Sequence, residues 1–332
     1  MSERVIEVRG LSKTYRVPER EAGLGAAVRS LVHRRVREVR AVEGVSFGLE
    51  AGEMAALLGP NGAGKTTTLK VLAGLMRPTA GEVRVAGHVP WERRPEYLRR
   101  MSMVLGNKSQ ILWDIPPLDS FRVLAAIYRL PPAEFGRTLD ELVALLELEP
   151  LLTRPARNLS LGERMKCELV ASLLHRPAVL FLDEPTLGLD VSMQRRLRAF
   201  VAEYNRRSGV TLILTSHYMA DVVALCRRVI LIHHGHCLYD GDLARLAERL
   251  APYKLLRLTL GEGADPEQAV AALPAGTERL AGEDGQLILR VGRAETPAAT
   301  AHLLRTLPVV DLAVEDPPIE NVIDRIYEGG GL

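Results

Sequence analysis

Nine consecutive residues, Gly59-Pro60-Asn61-Gly62-Ala63-Gly64-Lys65-Thr66-Thr67, fit the pattern GxxxxGK[ST]. Glycines let successive backbone N–H groups turn toward a phosphate, and a helix that opens at the lysine adds its dipole at the same end. In such a loop the Lys65 ammonium reaches the β- and γ-phosphates of a nucleotide, and the Thr66 hydroxyl ligates Mg2+. Val179-Leu180-Phe181-Leu182-Asp183-Glu184 supplies a complementary piece. An aspartate ending a buried strand can hold Mg2+ through water, and Glu184 then sits beside the place of a hydrolytic water, as a general base must. Alone, Glu184 reads more simply as a solvated turn residue before Pro185. Between the two pieces stands Leu159-Ser160-Leu161-Gly162-Glu163. A serine hydroxyl and a glycine amide at a helix start make a second anion site, and the same residues describe a capping box closed by Glu163.

These side chains need a scaffold that delivers them to one place. Residues 54–58 form a short apolar run before the glycine loop, and a helix pattern follows over 65–75, which is an α/β signature. Residues 179–182 and 211–215 are short, strongly apolar strands of the kind buried on both faces of a parallel sheet. Helices over 191–207 and 219–227 separate them from a strand at 229–233. Further strands are expected at 5–8, 41–49 and 83–86, and helices at 119–129, 138–148 and 164–174. Residues 16–40 carry seven arginines against three glutamates, with Leu24, Val28, Leu31, Val32 and Val36 at helical spacing. Such an amphipathic insertion suits anionic lipid headgroups or a membrane partner, or else a solvated surface. Beyond residue 250 the order is strand 255–260, helix 266–273, strand 286–291, helix 297–307, strand 309–314 and helix 319–327. That is a small α+β appendage, expected to be ferredoxin-like.

At 332 residues the chain is long enough for two domains, and 47% hydrophobic with 25% charged residues excludes collagenous, mucin-like and disulfide-scaffold classes. The longest apolar runs, near 178–182 and 210–214, fall far short of the roughly 18 residues a membrane span needs. The first ten residues lack the apolar core of a signal peptide, so the expected compartment is cytoplasmic. Three cysteines without CxxC spacing agree with a reducing environment. The net charge of +2 argues against a nucleic-acid coat, yet residues 251–332 hold 7 basic and 13 acidic residues, a net of −6. His233, His234, His236 and Cys237 raise a metal question, but strand alternation about Gly235 sends their side chains to opposite faces, and a surface hairpin is the expectation.

Taken in order, the P-loop, the Ser160 segment, the Asp183-Glu184 strand end, Gly188-Leu189-Asp190 and Thr215-Ser216-His217 resemble the nucleotide-binding subunit of an ABC transporter over about residues 4–245. The resemblance implies a P-loop NTPase of ABC type, with a RecA-like core, an antiparallel β subdomain and a helical subdomain at about 101–177. Residues 1–250 would be the nucleotide-binding domain and 251–332 the accessory domain. It implies ATP and Mg2+ as ligands, with Gly59 to Thr67 on the phosphates and Thr66, Asp183 and Asn107 at the metal. Tyr15 would stack on adenine, Glu184 would act as base, and His217 would contact the γ-phosphate and hold the attacking water. In the implied head-to-tail dimer, a homodimer or a pair with another ATPase subunit, Ser160 and Gly162 act in trans and Asp190 bridges the two sites.

Two positions depart from the family pattern. Leu161 and Glu163 stand where LSGGQ has glycine and glutamine. In the loop Gly106-Asn107-Lys108-Ser109-Gln110-Ile111-Leu112-Trp113-Asp114 the family's glutamine maps to Asn107 when counted back from Trp113-Asp114, with Gln110 the competing candidate. That loop, Pro317-Pro318-Ile319-Glu320-Asn321-Val322 and the small C-terminal domain look most like ATPases of sodium-extrusion-type and daunorubicin-resistance-type exporters. A separate membrane permease is thereby implied, with this chain peripheral on the inner face of the membrane and the loop at 107–120 offering Ile111, Leu112 and Trp113 to it. A soluble ABC ATPase with a non-transport role and an importer ATPase are the alternatives. The chain has one P-loop, and Lys65 and Ser160 are only 95 residues apart, too few for a long coiled-coil insertion.

Overall fold

The computed structural model describes residues 4–18, 36–106, 108–261, 267, 273, 277–280 and 286–327. Two units divide the chain, Met1–Asp242 and Leu243–Leu332. Residues 243–250, for which the sequence suggested no element, form the helix Leu243–Leu250 of the second unit.

The first unit is organised by a six-stranded sheet in the order β5-β6-β7-β3-β8-β9. Its members are β5 (Met101–Leu105), β6 (Val179–Asp183), β7 (Thr211–Thr215), β3 (Met54–Leu58), β8 (Arg228–His233) and β9 (His236–Asp242). All neighbouring pairs are parallel except β8 with β9. Every residue of β6 and β7 is buried, which is why these strands read as unbroken apolar runs. Parallel pairing also fixes where chemistry can occur. Leu105, Asp183 and Thr215 stand side by side in register, so the carboxyl ends of three strands form one crest.

An antiparallel sheet of order β2-β1-β4 is built from β1 (Arg4–Pro18), β2 (Val36–Glu50) and β4 (Ala80–Val85). Both hairpin strands are far longer than expected. Residues 16–18 and 36–40, read as part of the arginine-rich insertion, pair as strand, with Arg16 opposite Glu38 and their side chains 3.3 Å apart. The amphipathic helix expected within that insertion lies outside the described residues, and the strands at its two ends lend no support to lipid contact through residues 16–40. Ile6, Leu11, Val45 and Leu49 of this sheet share a core with Leu57, Leu69, Leu72 and Tyr97. The helix α1 (Lys65–Leu72) is thus packed against both sheets. A one-turn helix α2 (Pro95–Leu98) leads into β5.

Three further helices, α3 (Pro117–Tyr128), α4 (Pro132–Leu146) and α5 (Leu161–Leu173), lie between β5 and β6 in sequence. Leu139, Leu142, Val143 and Leu146 are buried at the i, i+3, i+4, i+7 spacing of a single helical face. Proline at the first position starts α3 and α4 earlier than the apolar pattern alone suggested. Two more helices, α6 (Val191–Ser208) and α7 (Met219–Leu225), alternate with β7 and β8.

The second unit begins with α8 (Leu243–Leu250) and contains a four-stranded sheet of order β11-β12-β10-β13, all neighbours antiparallel. Its strands are β10 (Tyr253–Leu260), β11 (Glu278–Leu280), β12 (Gln286–Gly292) and β13 (Val309–Glu315). With the first strand between the third and the fourth, this is the strand order of the ferredoxin-like arrangement. Leu256, Leu258, Leu287 and Leu289 pack with Ala299 and Leu303 of α9 (Thr296–Thr306), and α10 (Ile319–Tyr327) closes the described chain. Of the helix expected over 266–273, only residues 267 and 273 fall within the description.

Candidate functional site

The glycine loop is shaped by what surrounds it. Gly64, at φ +109°, precedes α1, and a Cβ there would lie 2.4 Å from the Ala41 carbonyl oxygen. At Gly59 a Cβ would come within 2.1 Å of the Ile232 carbonyl oxygen, because β8 runs directly against the loop. The N-cap of α1 is Gly64, which has no side chain to cap the helix, an arrangement that suits an anion at its N-terminus. Lys65 is buried, and its ammonium donates to the Gly59 and Pro60 carbonyl oxygens at 2.5 and 3.1 Å. Burial lowers the Lys65 pKa, while the nearby Glu184 and Asp183 carboxylates oppose that shift.

At the strand crest Asp183 accepts from the Thr215 hydroxyl at 2.6 Å and from the Thr66 hydroxyl at 3.4 Å. A hydroxyl and a carboxylate converging from α1 and β6 are the hard oxygen donors Mg2+ prefers, with remaining positions left to water and phosphate. Glu184 follows at φ +54°, a left-handed conformation uncommon for a residue with a side chain. Its N–H is held by the Thr215 carbonyl and hydroxyl oxygens at 3.0 and 3.1 Å. The turned backbone aims the carboxylate at His217, whose Nε2 lies 2.8 Å from Glu184 Oε1. Tyr15, half-buried, meets the Thr67 hydroxyl of α1 at 3.3 Å and donates to Met76 Sδ, just beyond that helix, at 3.1 Å. The structure therefore gathers Tyr15, Lys65, Thr66, Thr67, Asp183, Glu184, Thr215 and His217 around the P-loop.

Ser160 and Asp190 each stand at the start of a helix. Ser160 caps α5 in a complete capping box, its hydroxyl accepting from the Glu163 N–H at 3.3 Å and its own N–H donating to Glu163 Oε2 at 2.8 Å. The Ser160 N–H, first among the causes, holds the Glu163 carboxyl below its ordinary pKa. Asp190 caps α6, and the Ser192 hydroxyl and Met193 N–H lower its pKa. Gly162 is tight against α6, since a Cβ there would be 2.8 Å from Met193 Cγ.

The loop after β5 differs in part from expectation. Asn107 lies outside the described residues. The Gln110 side chain donates to the Met103 carbonyl oxygen at 3.3 Å, and its N–H to Glu168 at 2.8 Å. Ile111, expected at the surface, is only 4% exposed, because the loop turns it into the protein, whereas Leu112 and Trp113 are 51% and 53% exposed. The histidine cluster separates only in part, because His234, at φ +47°, turns out of the strand and its ring stays beside that of His233, and no metal-holding group forms among the described residues. His233 and His234 pair ring to ring at 4.1 Å, while His236 faces Glu43 and Cys237 donates to the Tyr239 carbonyl.

Sequence reasoning missed Asp221. Fully buried at the start of α7, it accepts from Arg198 at 2.7 Å, from Ser216 at 2.8 Å and from the Thr186 hydroxyl. It thus ties the segment after Glu184, the residue before His217 and α6 to one carboxylate. Its available signal was an acidic residue among Met219, Val222 and Leu225, on the buried face of a short helix.

Comparison with known proteins gives the chain a family. A family model described as ABC transporter matches residues 42–187, and one described as EvrA-like ABC transporter, C-terminal domain, matches 252–315. The chain is 32% identical to ABC transporter ATP-binding protein NatA of Bacillus subtilis (strain 168), over 63% of this chain and 85% of that one. It is also 32% identical to Nod factor export ATP-binding protein I of Ralstonia nicotianae, covering 74% and 84% respectively. The chain belongs to the ATP-binding subunits of ABC transporters. As such it is an ATPase, and its ligand is ATP. Family resemblance extends to a spermidine/putrescine import ATP-binding protein, PotA of Rubrobacter xylanophilus, at 34% identity over 69% of this chain and 60% of that one. A solved ATP-binding subunit of an ABC transporter superposes with a TM-score of 0.60 at 27% identity, covering 74% of this chain and 92% of that one. Among the described residues no helix is long and apolar enough to cross a membrane.

Proposed function

We propose that this ABC ATPase is the motor of an exporter, coupling MgATP-driven dimerisation to conformational change in a separate membrane permease, and working peripherally on the inner face of the membrane. The observation that carries the motor reading is the crest at Asp183 and Glu184, where a carboxylate held by His217 stands beside the Thr66–Asp183 pair and the N-terminus of α1. Phosphoryl transfer to water needs little covalent help, so the residues act by position and charge. The amides from Gly59 to Thr67 and the Lys65 ammonium hold the phosphates, and Tyr15 carries adenine. Thr66 and Asp183, with Asn107, would hold Mg2+, which neutralises charge on the γ-phosphate when bound. Glu184 takes the proton of the attacking water, and His217 keeps that carboxylate and the γ-phosphate in line. Ser160, Gly162 and Asp190 stand at the starts of α5 and α6, where helix N-termini can meet a second protomer's nucleotide, and this supports their action in trans.

Export is supported by the Nod factor export relative, and the exposed Leu112 and Trp113 suit docking of a permease segment. Import, as named for the PotA relative, is the second reading. The test is co-purification with a polytopic membrane protein encoded beside this chain, followed by ATPase assays in vesicles. Stimulation of hydrolysis by a substrate presented on the cytoplasmic side supports export. Stimulation only from the opposite side would favour import, and failure to associate with any membrane protein would end the transporter reading.

A further inference from the structure

Glu168 lies on α5 about two turns beyond Ser160, within a stretch buried continuously from Met165 to Leu173. Its side chain is only 4% exposed, yet it receives three donors from one loop: the Ser109 hydroxyl, the Gln110 N–H at 2.8 Å and the Ile111 N–H at 3.4 Å. Burial raises its pKa, and those hydrogen bonds together with Arg164 oppose the rise. A carboxylate costs desolvation at such a place, and an apolar side chain would fill the same space without that cost. What the carboxylate adds is a fixed attachment of several charge-assisted hydrogen bonds.

The captured loop begins at the hydrolytic crest. The Gly106 N–H donates to the Asp183 carbonyl oxygen at 3.1 Å, and a Cβ on Gly106 would lie 2.9 Å from the Glu184 carbonyl oxygen. Further on, the Arg164 guanidinium of α5 lies 5.2 Å from the Trp113 ring centre. The Arg157 N–H donates to the Trp113 carbonyl at 2.9 Å, and its guanidinium pairs with Asp114 at 3.0 Å. One stretch of chain therefore runs from the backbone beside Glu184 to a grip on the helix that Ser160 opens.

We propose that Glu168 is a positioning residue that latches the loop after β5 to α5, so that the two move as one body and a displacement at Ser160 reaches Asp183 and Glu184. This rests on the assignment of Glu184 as base and of Ser160 as a trans contact. The latch acts through the loop, and Glu168 itself touches no nucleotide.

The full chain and its Glu168→Ala, Glu168→Gln and Ser109→Ala variants are compared by amide hydrogen exchange, fluorescent ATP-analogue binding and steady-state hydrolysis. In Glu168→Ala, protection at Gln110 and Ile111 should fall to that of open amides while α1 and β6 keep theirs. A misplacement near 1 Å at reacting groups costs up to about 100-fold, so kcat should drop about 10-fold or more, with nucleotide Kd and KM within about two-fold of wild type. Glu168→Gln, which keeps one acceptor oxygen, and Ser109→Ala should give intermediate kcat values, and they carry the test if the alanine variant does not fold. Released amides with kcat unchanged would overturn the latch, as would protection that persists without the carboxylate. Loss of protection across α1 and β6 as well would show a merely structural role and also overturn it. Absence of MgATP hydrolysis in the wild-type chain would instead refute the ATPase assignment on which the latch depends.

Discussion

Replacing Asp221 by alanine should unfold the first unit far more easily than its small volume suggests. The carboxylate is fully buried and paired with Arg198, whose side chain is only 15% exposed. Alanine strands that guanidinium without its partner and leaves the hydroxyls of Thr186 and Ser216 without their acceptor. Breaking a buried pair by removing one member costs about 3–5 kcal/mol. For a unit of this size each kcal/mol lowers the melting temperature by about 2–4 °C, so the expected loss is about 6–20 °C. Differential scanning calorimetry of the full chain, reading the first unit's transition, measures it. The companion double variant Arg198→Met/Asp221→Leu removes both charges and should regain much of the loss, because a well-packed apolar pair replaces an ion pair at little cost. An Asp221→Ala midpoint within about 2 °C of wild type would refute the reasoning, as would a double variant no more stable than the single one.

Other outcomes follow from the same geometry. Glu184→Gln should reduce kcat by about 100-fold or more while ATP still binds and the dimer accumulates, seen by size-exclusion chromatography with ATP; wild-type turnover would remove Glu184 from the role of base. Lys65→Met should abolish ATP binding and yet raise the melting temperature of the ligand-free chain at pH 7. Because burial lowers the native Lys65 pKa, the unfolded chain binds the extra proton between that value and about 10.4, so native stability rises with pH across that window and the burial cost is fully present at neutral pH. Thermal melts between pH 7 and 10 should show this rise in wild type and a flatter profile in the variant. Gly64→Ala places a Cβ against the Ala41 carbonyl at φ +109° and should cost about 1–3 kcal/mol, with lost nucleotide binding, by urea titration and analogue fluorescence.

Local chemistry was what the sequence made legible. Gly59 to Thr67 are recognisable because glycine loop, lysine and helix start lie within a few residues of one another, and Asp183 because it ends an apolar strand, whereas the roles of Glu184 and His217 came from the order of motifs that resembles the family. The strand β5 was missed, since Met101, Ser102 and Met103 carry little strand bias and only pairing with the distant β6 makes them one. The true length of β1 and β2 was missed because Val36-Arg37-Glu38-Val39-Arg40 sets its valines three apart, a spacing that fits a helix or a polar surface segment better than a strand. Ile111 was misplaced for a related reason, as burial in a loop is decided by what packs over it. Glu168 and Asp221 could be noticed as acids among apolar helix residues, but their partners come from residues 57–59 and 5–35 positions away. No periodicity encodes such partners.

The left-handed backbone at Glu184 bears on how this position can change over evolutionary time. An ordinary residue there is held against its own preference by about 1–2 kcal/mol, whereas asparagine and glycine visit that region readily. Drift that served only stability would replace the glutamate by one of those two, leaving a firmer and silent protein that still bound its ligand. Removing the carboxylate and relieving the backbone are therefore the same substitution at this one position, so Glu184→Gly and Glu184→Asn should yield a chain that melts no lower than the wild type while turning nothing over.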